Sequence, residues 1–505
     1  MSKINQYLSL EQFESFIFEN ETVELSAEVL ERVSQSFDFL KEFSANKIIY
    51  GVTTGFGPMA QYRIEDKDRV QLQYNLIRSH SSGTGKVLSP VFVKSAILAR
   101  LNTLALGNSG VHPSVIHLMQ ELLNRDITPL IFEHGGVGAS GDLVQLAHLA
   151  LVLIGEGEVF YKGERKATSE VFAAEGLQPI HVEIREGLAL MNGTSVMTGI
   201  GVVNLANAKK LLNWSLKFSA AINEMVRAYD DHLSQELNGA KLHKAQQEVA
   251  NRMREHLEGS QLIRKREDHL YKGENNETVF KEKVQEYYSL RCVPQILGPV
   301  LTTIENAAEV LENEINSAND NPIIDVKNRQ VYHGGNFHGD YISLEMDKLR
   351  LVVTKLSMLA ERQLNYLMNA KINELLPPFV NLGKLGFNFG LQGVQFTAVS
   401  TTAENQMLSN SMYVHSIPNN NDNQDIVSMG TNAALLTAKT IENAYEVLAI
   451  EAMAIVQGID ALGYKDKVSP ATAKLYNDIK AIFPVISDDR PLYPYVQSIK
   501  EYLMR

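Results

Sequence analysis

Ala139-Ser140-Gly141 lies inside a glycine-loaded loop, His134-Gly135-Gly136-Val137-Gly138-Ala139-Ser140-Gly141-Asp142. These residue types, in this order, can build an electrophile. If the loop bends tightly, the amide nitrogen of Gly141 can attack the carbonyl carbon of Ala139. Loss of one water closes a five-membered ring, and loss of a second, from Ser140, leaves an exocyclic methylene. The product is 4-methylidene-imidazole-5-one (MIO), formed by the chain itself. Position 139 should be small so that the ring can close. Position 140 needs a hydroxyl to eliminate. Position 141 should be glycine, because a Cβ would crowd the attacking nitrogen and glycine reaches unusual dihedrals at low cost. By composition alone, such a tripeptide occurs in roughly one chain of this length in six. A turn is its ordinary reading, and its surroundings must decide.

Four other segments carry polar groups where plain scaffold has no use for them. Tyr50-Gly51-Val52-Thr53-Thr54-Gly55-Phe56-Gly57-Pro58 reads as a loop able to carry a side chain over a site, or as a turn between helices. Asn192-Gly193-Thr194-Ser195 sets an amide in an apolar helix-forming run, where it either holds a reactive group or caps a helix. In Gln285-Glu286-Tyr287-Tyr288-Ser289-Leu290-Arg291-Cys292, Tyr288 and Arg291 share a helix face. An arginine there can clamp a carboxylate or simply face solvent. Pro418-Asn419-Asn420-Asn421-Asp422-Asn423-Gln424-Asp425 is either a turn or a lining of amide donors and acceptors. No HExxH or paired Cys/His spacing suggests a metal, and Ser140 does not sit in a GxSxG elbow. Cys292 reads as a small core residue.

These groups need a helical frame. Ile342, Met346, Leu349, Val353, Leu356 and Ala360 alternate spacings of four and three, one apolar face of a long helix. Residues 196–226 and 427–460 predict long helices apolar on several sides, and 298–316 an amphipathic one. Short strand signals occur at Ile127–Ile131, Glu158–Tyr161 and His181–Ile184. The expected fold is mainly α, with an N-terminal domain over 1–200 and a central helical bundle with C-terminal helices over 201–505. The boundary is soft, because the uncharged stretch 187–208 runs across it.

The chain has 505 residues, 45% hydrophobic and 21% charged, the composition of a globular protein. A net charge of -12 argues against a nucleic-acid partner. One cysteine allows no internal disulfide, and Met1-Ser2-Lys3-Ile4-Asn5-Gln6 lacks an apolar signal core. A cytoplasmic protein with no membrane segment is expected.

In this order the segments resemble the aromatic amino acid ammonia-lyases, which include histidine, phenylalanine and tyrosine ammonia-lyases and related aminomutases. The resemblance runs through YGVTTGFGP at 50–58, NLIRSHSSGTG at 75–85, GGVGASGDL at 135–143, MNGTS at 191–195 and QEYYSLRCVPQILGP at 285–299. It continues through NSANDNP at 316–322, GGNFHG at 334–339 and NQDIVSMG at 423–430. Eight matches in order cover nearly the whole chain. The resemblance implies the ammonia-lyase fold, an MIO-bearing N-terminal domain, no external cofactor, and a homotetramer with shared active sites. It implies an aromatic L-amino acid as substrate, losing ammonia to give an unsaturated acid.

By the same resemblance Tyr50 is the base that removes the β-proton. An ordinary tyrosine, with pKa near 10, is only about 0.1% ionised at neutral pH, so such a base needs positive charge or helix N-termini close by. Arg291 clamps the substrate carboxylate, with Asn321 nearby. Asn192 and Tyr288 contact the ring and the amine. Gln285, Phe337 and Asn420 are further pocket positions. Two positions bear on the substrate ring. Ser79-His80 resembles the pair in histidine ammonia-lyases and also occurs in some tyrosine enzymes, whereas Gln424 is of the phenylalanine/tyrosine type. An amide suits an imidazole less well than a carboxylate does, and His80 can pair with a phenol hydroxyl. Val144-Gln145 departs from the family's common Ala-Pro. The reading is therefore a tyrosine ammonia-lyase giving p-coumarate, with some use of phenylalanine. Histidine ammonia-lyase and tyrosine 2,3-aminomutase are the alternatives. A non-catalytic helical scaffold is the alternative of another class.

Overall fold

A computed structural model describes residues 3–5, 7–273, 278–280 and 282–505. Met1, Ser2 and Gln6 of the N-terminus read above lie outside them. The fold is mainly α, 59% helical with few strands. Two compact units divide the chain. The first is Met1–Ala206, Asn306–Asp347 and Ser411–Ala438; the second is Asn207–Glu305, Lys348–Asn410 and Lys439–Arg505. Two segments from the C-terminal part of the sequence thus belong with the N-terminal part.

The long periodic segments are helices: Ser195–Met225, Val293–Ile315, Asp340–Met368 and Gly430–Leu462. The six apolar residues from Ile342 to Ala360 that define the stripe are each at most 1% exposed, so the period marked a buried face. No helix among the described residues is long and apolar enough to cross a membrane.

Within the first unit, helices Arg69–His80, Leu143–Leu153 and Glu186–Met191 pack on one another. His80 ends the first, the glycine loop leads into the second, and Asn192 follows the third. The strand signals hold at two places. Thr128–Pro129 and Glu158–Tyr161 join Glu164–Ala167 in a three-stranded antiparallel sheet, and Phe132–His134 pairs with Thr84–Val87. His181–Ile184 is not a strand. The amides of Glu183 and Ile184 donate to Glu186 Oε2 at 2.8 and 2.9 Å, so a side chain takes the bonds a ladder would supply. The uncharged stretch is broken rather than continuous: helix Glu186–Met191 stops at Asn192, and the next begins at Ser195.

Candidate active site

A cavity of about 530 Å³ in the first unit brings together Tyr50, Ser79, His80, Ser140, Asn192, Asn420 and Gln424. Phe56, Met59, Ile64, Leu72, Leu76, Leu143 and Leu188 supply apolar walls, and Asn75 a further polar one. The size and the mixture suit a small ligand held by a few polar groups.

The glycine loop passes through left-handed backbone at Gly138 and Gly141. Gly141 has φ +71°, and a Cβ there would overlap the Gly193 carbonyl, so only glycine fits. That carbonyl accepts the Asp142 N–H at 2.8 Å. Ala139 is buried. Both oxygens of Ser140 are engaged: Asn192 Nδ2 donates to its carbonyl at 3.2 Å, and Gln424 Nε2 to its hydroxyl at 3.0 Å. Asn192 does cap a helix, through its backbone at the end of Glu186–Met191, while its side chain meets Ser140.

Asp142 anchors the loop from behind. Its Oδ2 accepts the Val196 and Met197 amides at 2.9 Å each, at the start of helix Ser195–Met225, and Thr431 donates to its other oxygen. An acidic group suits that helix terminus. Burial nevertheless pushes the carboxyl up to about 6, against those hydrogen bonds.

The Tyr50 loop is tied down at several points. Gly57 N–H donates to Tyr50 Oη at 3.0 Å, His333 Nε2 accepts the Tyr50 N–H at 3.2 Å, and Gln73 Nε2 donates to the Gly51 carbonyl at 2.9 Å. Tyr50 Oη is thus an acceptor in its contact with Gly57, and its own proton is not used there.

His80 is oriented by its helix. Nδ1 lies 3.0 Å from the Leu76 carbonyl and 3.0 Å from Ser79 Oγ. A carbonyl can only accept, so Nδ1 answers Leu76 when it carries a proton, and in that tautomer Nε2 is the acceptor. The asparagine run is both a turn and a lining. Asn420, Asn421 and Asp422 have φ of 56°, 52° and 56°, the left-handed region these short polar side chains tolerate, and Asn419 pairs with Gln424.

The remaining residues predicted for the site are not brought to this cavity. Asn321 does not line this cavity; its Oδ1 accepts the Gly334 amide at 2.9 Å. Phe337 is half-buried beyond the lining. In the second unit, Gln285, Tyr288 and Arg291 line a cavity of about 630 Å³ with Glu286, Arg362 and Tyr366. Tyr288 and Arg291 share a face, as their spacing predicts: the guanidinium lies 4.8 Å from the ring centre. Burial raises the Glu286 carboxyl, whose two oxygens have no hydrogen-bond partner among the described residues.

Sequence reasoning missed Arg100, Asp142, His333 and the apolar walls. Asp142 was detectable as the residue closing the glycine loop. Arg100 and His333 carried no local signal, since their partners are distant in sequence.

The chain matches the family model described as aromatic amino acid lyase over residues 8–481. A tyrosine 2,3-aminomutase of Chondromyces crocatus is 38% identical over 489 residues, covering 95% of this chain and 92% of that protein. A histidine ammonia-lyase of Geobacillus sp. (strain WCH70) is 38% identical over 497 residues, covering 98% and 95%. The crystal structure of a tyrosine aminomutase from Streptomyces globisporus superposes with a TM-score of 0.95 at 34% identity, covering 100% of this chain and 96% of that one. On the match along its length and the fold it shares, this chain belongs to the aromatic amino acid ammonia-lyase family and is a carbon–nitrogen lyase.

Proposed function

We propose that this enzyme is a tyrosine ammonia-lyase, converting L-tyrosine to p-coumarate and ammonia, with L-phenylalanine as a poorer substrate. The family is MIO-dependent, and Ala139-Ser140-Gly141 fits that group. Gly141 stands where no Cβ can, Ala139 is small and buried, and both oxygens of Ser140 meet side-chain amide donors. The group supplies an electrophile to the substrate amine and turns it into a better leaving group. The rest falls to side chains. Tyr50 takes the β-proton. Asn192 and Gln424 hold the reacting end. Arg291 binds the carboxylate in a fork, aided by Asn321, and Tyr288 with Gln285 contacts the amine end. Phe337 and Asn420 shape the pocket, and Ser79 orients His80.

The observation that carries tyrosine over phenylalanine is His80. In the tautomer whose Nδ1 donates to the Leu76 carbonyl, Nε2 is an acceptor in a cavity with apolar walls, where a phenol O–H can donate. A phenyl ring would leave it unpaired. The amide of Gln424, in place of a carboxylate, supports tyrosine over histidine. A tyrosine 2,3-aminomutase is the second reading. It is favoured by a relative of that name matching over 95% of the chain, and it would use the same residues. A histidine ammonia-lyase is the third, favoured by Ser79-His80 and by the similarly close relative of that name. Homotetrameric assembly with shared active sites, and a cytoplasmic location, belong to the same reading.

Purified enzyme incubated separately with L-tyrosine, L-phenylalanine and L-histidine decides among these. p-Coumarate from tyrosine is the expected main product. β-Tyrosine in its place would select the aminomutase, and urocanate from histidine would mean that Ser79-His80 outweighs Gln424.

A further inference from the structure

Arg100 lies on helix Pro90–Ala105 and is fully buried. Its Nη2 donates to the Ala189 carbonyl and, at 2.9 Å, to the Asn192 carbonyl. Its Nη1 donates to Asn319 Oδ1 at 3.0 Å. A cation is well placed against the last carbonyls of a helix. Gly193 sits directly on the guanidinium: a Cβ there would overlap Arg100 Nη1 and come within 2.6 Å of Asn319 Oδ1. On their other side the same two residues touch the glycine loop. Gly193 O accepts from Asp142 and abuts Gly141, while Asn192 Nδ2 donates to the Ser140 carbonyl. Burial lowers the guanidinium to about 10, with the Asp320 and Asp142 carboxylates opposing that shift, so it stays charged at neutral pH.

We propose that Arg100 is a positioning residue for MIO formation: it fixes Asn192 and Gly193, which abut Gly141 and set an amide donor on the Ser140 carbonyl. The inference rests on the reading that Ala139-Ser140-Gly141 cyclises. That chemistry balances within the chain. A bond forms between Gly141 N and the Ala139 carbonyl carbon. The Ala139 oxygen leaves as water with the hydrogens of Gly141 N and Ser140 N. Ser140 Oγ leaves as the second water, taking the Cα hydrogen. As that hydrogen departs, negative charge develops on the Ser140 carbonyl oxygen, where the Asn192 donor stands. Without Arg100, three acceptors lose their shared donor, and the donor at Ser140 is no longer held.

The test is the intact mass of purified, folded protein, with circular dichroism and thermal melting in parallel. Wild-type chains are expected two waters lighter than the sequence. Arg100→Lys keeps the charge without the fork and is expected to show a full-mass population that wild type lacks. Asn319→Ala, a milder change at a partner of Arg100, is expected to show a smaller one. Ile116→Ala is the control, a core cavity in helix Pro113–Asn124, expected to melt earlier yet mature completely. Arg100→Lys and Asn319→Ala proteins that fold and are wholly two waters lighter would overturn the proposal. So would an Ile116→Ala protein as immature as they are, because general destabilisation would then explain the effect. Wild type at full mass would overturn the cyclisation reading itself, and this proposal with it.

Discussion

The cavity around Ser140 and the cavity around Arg291 are built from different materials. Among the described residues, no Lys, Arg, Asp or Glu lines the first; hydroxyls, amides, one imidazole and apolar side chains make it. The second carries Glu286, Arg291 and Arg362. A neutral, largely apolar site suits an aromatic ring and an electrophile that water should not reach. A charged one suits the carboxylate of an amino acid. In the proposed reaction, with active sites shared between the subunits of a homotetramer, the first cavity would do the bond chemistry and discriminate the ring, and an Arg291 cavity would grip what all amino acids share.

Substitutions should separate those duties. The largest effect is expected at Tyr50. Tyr50→Phe removes only the hydroxyl and should lower kcat by about 10²–10⁴-fold, the usual worth of a positioned base, while the chain stays two waters light. A variant with near-normal kcat would remove Tyr50 from the chemistry. Next is Arg291→Met, which should cost about 10–100-fold in kcat/KM, with tyrosine and phenylalanine hurt alike, since charge-assisted hydrogen bonds contribute about 1.5–3 kcal/mol. A loss confined to one substrate would break the division of labour. His80→Leu should act in the opposite manner, shifting the tyrosine-to-phenylalanine ratio of kcat/KM towards phenylalanine by about tenfold. An unchanged ratio would deprive His80 of its partner role.

The smallest effect concerns stability. Burial lowers His232 in the second unit to about 4, and its ring lies 3.1 Å from Asn223 Oδ1. From about pH 6.5 down to 4 the unfolded chain takes up a proton that the folded one refuses, so stability falls on acidification. Asp142 in the first unit has the opposite sign. Its carboxyl, raised to about 6 by burial, favours the folded state at low pH, and that contribution fades as pH rises from about 4 to 6. Urea melts across this range should show a shallower acid-side loss in His232→Asn than in wild type. Parallel curves would mean that His232 does not titrate this way.

The helices were legible because their stripes are periodic: Ile342 to Ala360 announce a buried face with no knowledge of what covers it. The site loops were legible for another reason, since the residue types at Ala139-Ser140-Gly141 fit the proposed chemistry as well as the packing that leaves no room for a Cβ at Gly141. What stayed hidden depends on partners far along the chain. His181–Ile184 alternates like a strand, yet Glu186 takes its amides. Arg100 matters through residues 89 and more positions away. The asparagine run illustrates the boundary, because composition gives the turn, and only the fold brings Asn420 and Gln424 to Ser140's cavity.

The central claim is that the bent loop becomes an electrophile. A peptide spanning residues 130–145, cut from the purified protein and weighed, tests it directly. A peptide two waters lighter than its sequence, in wild type but not in Ser140→Ala, is the result we expect. A wild-type peptide of full mass in protein that still releases ammonia from an aromatic amino acid would contradict it.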